Sequence, residues 1–207
     1  MLRASRGMGM QPLFYSAIFP HFCANAKRVA ASCLGSACEQ WINGEFFYAL
    51  HQANESLWVR PEKYKHDLVL FRDEQAEREG NPALVIESKV LYSSESLGKQ
   101  RARLEVLVRQ LDRIVRKFPG AQVFGIVTRF NWHYRKTGDS QLRYPGGVSR
   151  TPLVSTTTVA RLENAFRQSS RHLISHRRGS DPYVRISFGE YQYFVDVSIE
   201  VVRLRQS

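Results

Sequence analysis

The chain has 207 residues, 43% of them hydrophobic, with 30 Lys+Arg against 19 Asp+Glu and a formal net charge of +11. That balance excludes an intrinsically disordered, collagen-like or disulfide-scaffold class, and the length suits one domain with or without an appendage. The charge is unevenly placed. Residues 1–100 carry 11 basic and 11 acidic side chains, residues 101–207 carry 19 and 8, and arginine outnumbers lysine 23 to 7. A guanidinium suits bidentate phosphate contacts, so a polyanion is the first partner to test, with a merely basic domain as the alternative.

Residues 1–38 read as an N-terminal extension. It has no acidic residue, and its short apolar stretch Leu13–Phe19 is interrupted by Pro20 and His21, with a targeting segment as the alternative. Cys23, Cys33 and Cys38 lack C-x-x-C spacing, which predicts reduced thiols in a cytoplasmic protein. No apolar run approaches the roughly 20 residues of a membrane-spanning helix, so no membrane partner is expected. Helical patterning from Ala24 to Gln52 divides into two pieces at Gly35 and Gly44. Leu68–Phe71 reads as a short buried strand, Arg72–Asn81 as a solvated turn, and Ala83–Tyr92 as a strand buried on both faces.

The clearest helix covers residues 99–118, where Leu104, Leu107, Leu111, Ile114 and Phe118 recur at helical spacing and Pro119-Gly120 stops the run. Val123–Val127 is a further apolar strand, so the elements follow an α/β order. Farther on, Ser155–Thr158 caps a predicted helix over Val159–Ser175. Strands Tyr183–Phe188 and Tyr193–Leu204 then close the chain through a turn at Gly189-Glu190. Residues 39–207 are taken as one domain, with a core at about 40–130 and a basic C-terminal extension at 131–207.

The second strand contains a conflict. Glu87 and Lys89 stand two apart inside Ala83–Tyr92 and therefore project from the same face of an otherwise apolar strand. Buried charge without partners costs several kcal/mol, so compensation is required. If the two strands form an antiparallel hairpin, Asp67 comes alongside Glu87. Two converging carboxylates call for a cation, and hard oxygen ligands are what Mg²⁺ prefers. The plainer alternative is an exposed strand with a solvated Glu87–Lys89 pair.

Asp67, followed by a strand carrying Glu87-Ser88-Lys89 and framed by an upstream helix and a downstream helix and strand, resembles the PD-(D/E)XK nuclease superfamily. The resemblance covers somewhat under half the chain. It implies a restriction-endonuclease-like core of order αβββαβ within about Gln40–Phe130, a mixed central sheet flanked by helices. The C-terminal helix and β-hairpin would then be an extension. It further implies that Asp67, Glu87 and the Ser88 carbonyl hold Mg²⁺ (Mn²⁺ as an alternative), and that Lys89 assists the attacking water. Many members add a first-helix glutamate, for which Glu45 is the candidate, and some a glutamine in the later helix, here Gln110. His66 stands where the family has proline. A third core strand falls within Leu57–Lys65 or in the charged stretch.

The function this implies is metal-dependent hydrolysis of phosphodiester bonds in DNA. A ribonuclease, or a non-catalytic nucleic-acid-binding protein of the same fold, are the alternatives, and a homodimer is compatible. Arg101, Arg109, Arg113, Arg135, Arg171, Arg177 and Arg178 are the candidate phosphate contacts. Phe130, Trp132 and Tyr134 alternate with polar residues, which gives either a base-stacking face or an aromatic cover for the core. His172 and His176 are four apart but crowded by arginines, so a metal site there is not expected.

Overall fold

Burial on both faces of the central strands and burial every three to four residues in the flanking segments combine into a mixed α/β structure, one sheet flanked by helices. The computed structural model describes residues 14–34, 38–53, 58–92, 95–143, 173–180 and 184–204. After a π-helical turn at Phe14–Ile18 come α1 (Phe19–Ala24), α2 (Ala26–Leu34) and α3 (Cys38–Ala53). Strands β1 (Trp58–Pro61) and β2 (Leu68–Phe71), the short helix α4 (Glu74–Arg78), β3 (Leu84–Tyr92), α5 (Leu97–Lys117) and β4 (Gln122–Lys136) follow. The chain continues with β5 (Leu173–Ser180), β6 (Val184–Phe188) and β7 (Tyr191–Leu204). Among the described residues, no helix is long and apolar enough to cross a membrane.

The sheet order is β1-β2-β3-β4-β7-β5, with β6 also on β7. β1, β2 and β3 are successively antiparallel, whereas β3 and β4 are parallel and joined through α5. A parallel pair needs such a crossover because its two strands must start from the same end. Gly125 is in register with Glu87 across that pair. A Cβ on Gly125 would come within 2.8 Å of Val202, 3.1 Å of Leu107 and 3.2 Å of Leu111, so the missing side chain lets α5 lie close on the sheet.

One face packs Leu84, Ile86, Val90, Phe124 and Phe130 against Ile42, Phe46 and Leu50 of α3. The other meets α5 through Leu104, Leu107, Leu111 and Ile114. Gly44 does not divide α3, because the buried stripe outweighs the roughly 1 kcal/mol a helical glycine costs relative to alanine. The presumed N-terminal extension is corrected too. Ile18, Phe22, Val29 and Ala30 belong to the main core, and Phe22 stacks on Phe46 with ring centroids 5.1 Å apart.

The charged stretch after β2 contains α4, capped by Asp73 accepting from the Ala76 N–H at 2.8 Å. A strand, β1, lies within Leu57–Lys65, one of the two stretches expected to hold one, and the charged stretch holds a helix instead. β4 runs on through the aromatic segment, where Trp132 and Tyr193 pack against the main core, so that face covers apolar structure. The helix predicted to reach Ser175 is overturned at its end. Leu173–Ser180 pairs antiparallel with β7, whose outer edge would otherwise leave backbone groups unpaired, and residues 159–172 lie outside the described residues.

Candidate active site

β2 and β3 pair from Leu70↔Leu84 to Leu68↔Ile86, and the same register continued one position sets Asp67 opposite Glu87. There the two strands part. The Ser88 N–H, which an adjoining strand would otherwise engage, donates to Asp67 Oδ2 at 2.6 Å. The turn that delivers His66 and Asp67 contains three non-glycine residues with positive φ: Glu62 at 55°, Tyr64 at 57° and Lys65 at 66°. Such conformations cost of order 1 kcal/mol or more each and persist only where surrounding contacts enforce them. Here Glu77 of α4 provides the clamp, accepting from Trp58 Nε1, from Arg60 Nε at 2.9 Å and from Lys63 Nζ at 2.9 Å.

Both oxygens of Glu87 are engaged. Oε1 lies 2.5 Å from His66 Nδ1, and Oε2 accepts from Gln110 Nε2 at 3.1 Å. Burial, and after it the neighbouring Asp67, push the Glu87 pKa up to about 8. Burial also raises Asp67, although the Ser88 N–H, Lys89 and the Asn43 amide act in the opposite direction. His66 is lowered by burial and then by Lys117 and Arg113. At neutral pH Glu87 is therefore mainly protonated and donates to a neutral His66. That leaves His66 Nε2 as a buried N–H without a partner among the described residues. Lys89 Nζ donates to Glu39 Oε1 and to the Ser88 carbonyl, both at 2.7 Å.

Asp67, Glu87, Ser88, Lys89 and Gln110 thus come together. Glu45 does not join them, and this corrects its expected role. It lies six residues after Glu39 on α3, which turns it to another side of the helix, where Oε2 accepts from His21 at 2.5 Å and Arg28 at 2.7 Å. The first-helix acid at the site is Glu39, with Asn43 one turn later, and sequence reasoning missed both. Glu39 and Asn43 stand seven and three residues before Phe46, in line with the apolar stripe of α3, but Glu45 falls on that stripe too, three after Ile42 and four before Ala49, so the pattern does not choose between the two acids.

The basic residues divide. Arg109 and Arg113 are exposed on α5, and Arg113 with Lys117 flanks His66. Arg101 is half-buried. Arg135 donates to Gln192 and lies over the Phe194 ring, so part of its capacity serves the antiparallel β4–β7 pair. Arg177 and Arg178 belong to β5, in register with Val201 and Glu200. Arg171 and His172 lie outside the described residues, and His176 is in β5. Arg103, not singled out from sequence, bonds Glu95 at 2.8 Å and comes within 3.8 Å of Glu39.

Glu87 is buried beside the half-buried Asp67, whose charge adds to burial in raising the Glu87 proton affinity, so a divalent cation between the two carboxyl groups would relieve a standing penalty. The donors, Asp67, Glu87 and the Ser88 carbonyl, are hard oxygens and fit Mg²⁺ or Mn²⁺. Among the described residues no three His, Cys, Asp or Glu side chains group as a metal site. The protein would therefore supply a partial shell completed by water, as Mg²⁺ prefers. No protein-family model, no curated protein and no solved structure matches this chain.

Proposed function

We propose that the chain is a metal-dependent nuclease that hydrolyses phosphodiester bonds in DNA, with Asp67, Glu87 and the Ser88 carbonyl as the Mg²⁺ ligands. The observation that carries this reading is the β2–β3 register, which sets Asp67 beside Glu87 with Lys89 two residues on. The element order α3, β1, β2, β3, α5, β4, interrupted by a 3-10 turn at Lys63–Lys65 and the short α4, supports it, being the αβββαβ order that the PD-(D/E)XK resemblance implies. Mg²⁺ bound there would activate water and act as a Lewis acid on the phosphoryl group.

The chain's own residues have separate tasks. Gln110 and His66 fix the Glu87 carboxyl. The Lys89 ammonium, aimed by Glu39 and the Ser88 carbonyl, stabilises charge that grows on the phosphate. Arg113 and Lys117 form a basic rim beside His66 that holds the backbone.

Plasmid DNA, single-stranded DNA and single-stranded RNA incubated with the purified chain and Mg²⁺ or Mn²⁺ test the proposal. DNA cleavage should fall about a hundredfold or more in Lys89→Ala with the circular dichroism spectrum unchanged. Undiminished cleavage in Lys89→Ala and Asp67→Asn would refute the site, and cleavage of RNA alone would make the chain a ribonuclease. A second reading, a non-catalytic nucleic-acid-binding protein of this fold, is favoured by the engagement of both Glu87 oxygens and of Lys89. It requires salt-sensitive binding without cleavage under either metal.

A further inference from the structure

Helix α3 has a second flank that the nuclease reading does not use. Trp41, Gly44, Glu45 and Tyr48 follow the i, i+3, i+4, i+7 spacing of a single helix face. With Arg28 and Gln40 they line a pocket of about 550 Å³, within the range that holds a small organic ligand. Trp41 is 50% and Tyr48 49% exposed, unusual for aromatics so close to a core. Between them lies Gly44, and a Cβ placed there would meet nothing within 4 Å. A glycine at mid-helix costs stability without relieving any clash, so its effect is to leave the space between the two rings open. Seven residues of helix separate the two aromatics by about 10 Å along the axis. A planar group stacked between two rings needs about 7 Å, two van der Waals spacings.

The polar end of the pocket is equally specific. Glu45 is 6% exposed, and its Oε2 takes both His21 and Arg28. Among the described residues no hydrogen bond occupies Oε1. Burial alone would raise its pKa, but the hydrogen bonds from His21 and Arg28 outweigh burial and lower it. Glu45 is therefore an ionised, acceptor-only group held at the edge of an aromatic slot. Arg28, half exposed, keeps further N–H groups for an acceptor on the same ligand.

We propose that this pocket binds a guanine base, stacked on Trp41 and Tyr48, with its N1–H and N2–H edge toward Glu45 Oε1 and Arg28 on its O6 or phosphate. Of the common bases, only guanine presents two adjacent N–H donors on its pairing edge beside a carbonyl acceptor. That pattern matches a carboxylate next to a guanidinium. The base can come from a free nucleotide or from an unpaired position in a strand, and the chemistry of recognition is the same. The proposal stands on this pocket alone and does not need the Asp67 site to cut.

Tryptophan fluorescence titrations with 5′-GMP, 5′-AMP, 5′-CMP and 5′-UMP, and with oligo(dT) carrying or lacking one central guanine, test it. They are run on the intact chain and on Asp67→Asn, so that no strand is cleaved during measurement. GMP, the guanine-containing strand, or both should bind about tenfold more tightly than the counterparts lacking guanine. A preference confined to the strand identifies the source as an unpaired base, and one confined to GMP identifies a free nucleotide. Gly44→Leu fills the slot while improving helix propensity. It should weaken binding about tenfold with the melting temperature unchanged or higher. If that variant melts earlier, Trp41→Ala, at a half-exposed position, serves instead and should weaken binding equally. Equal affinity for all four nucleotides and both strands, or wild-type binding in the folded variant, overturns the proposal. Either result leaves the cleavage test of Lys89 untouched.

Discussion

Replacing Glu87 by glutamine should stabilise this protein while removing the activity proposed for it. Glu87 is 2% exposed, and burial, with the charge of Asp67 beside it, raises its pKa from 4.5 to about 8. In the unfolded chain the carboxyl ionises near its ordinary value, whereas in the native state it holds its proton some three and a half pH units longer. Between those two values the native state binds more protons than the unfolded state, so stability falls as pH rises. At about 1.4 kcal/mol per unit, the loss accumulated by pH 8 is on the order of 5 kcal/mol, a large part of an ordinary domain's stability. Glutamine cannot ionise, keeps an acceptor for Gln110 and can donate its amide to His66. Urea unfolding of both proteins at pH 5, 6.5 and 8 measures the effect. With a slope of about 2 kcal/mol per M, the midpoints should nearly coincide at pH 5 and differ by about 2 M at pH 8, the variant being the more stable. Mg²⁺ should narrow the gap at pH 8 by raising the wild-type midpoint, and should do little to the variant. Parallel curves across the pH range would refute the claim that this carboxyl is held against its preferred ionisation.

Gly125→Ala should cost about 1–3 kcal/mol in the same unfolding assay, because the new methyl overlaps Val202, Leu107 and Leu111; no loss would mean that α5 can shift freely. It should also reduce cleavage, since α5 carries Gln110 to Glu87. Glu77→Gln should loosen the turn ahead of His66, lowering the urea midpoint at pH 7. The Glu77 pKa is held down to about 2 chiefly by Arg60 and Lys63, so its contribution is present above pH 4.5 and is lost as pH falls through 2. The gap between wild type and variant should close over that window. Arg113→Glu should weaken DNA binding and make the affinity less steeply dependent on salt by gel shift. An unchanged salt slope would remove Arg113 from the interface.

Much of the architecture could be read from residue order because it depends on local patterns. The stripe Leu104, Leu107, Leu111, Ile114 forms a helix wherever an apolar surface is offered. Leu68–Phe71 and Leu84–Tyr92 are short apolar runs bounded by turn residues and charge. The group Asp67, Glu87, Ser88 and Lys89 was legible for a related reason. Charge placed inside a strand buried on both faces conflicts with its surroundings, and such a conflict is visible without coordinates.

The remaining features depend on rotational phase and on partners distant in sequence. Nothing local distinguishes Glu39 from Glu45, two acids on one helix. One meets Lys89 and the other meets His21 and Arg28, because six residues of helix turn them toward different neighbours. The apolar residues of 14–34 are patterned locally like an extension, yet Phe22 stacks on Phe46 within the main core. Leu173–Ser175 followed the pattern of a helix, but β7 offered an open edge and the unpaired backbone took it. The order and chemistry of the elements are properties of neighbouring residues. The choice between two glutamates, and between helix and strand at an edge, follows from burial and pairing that only long-range contacts supply.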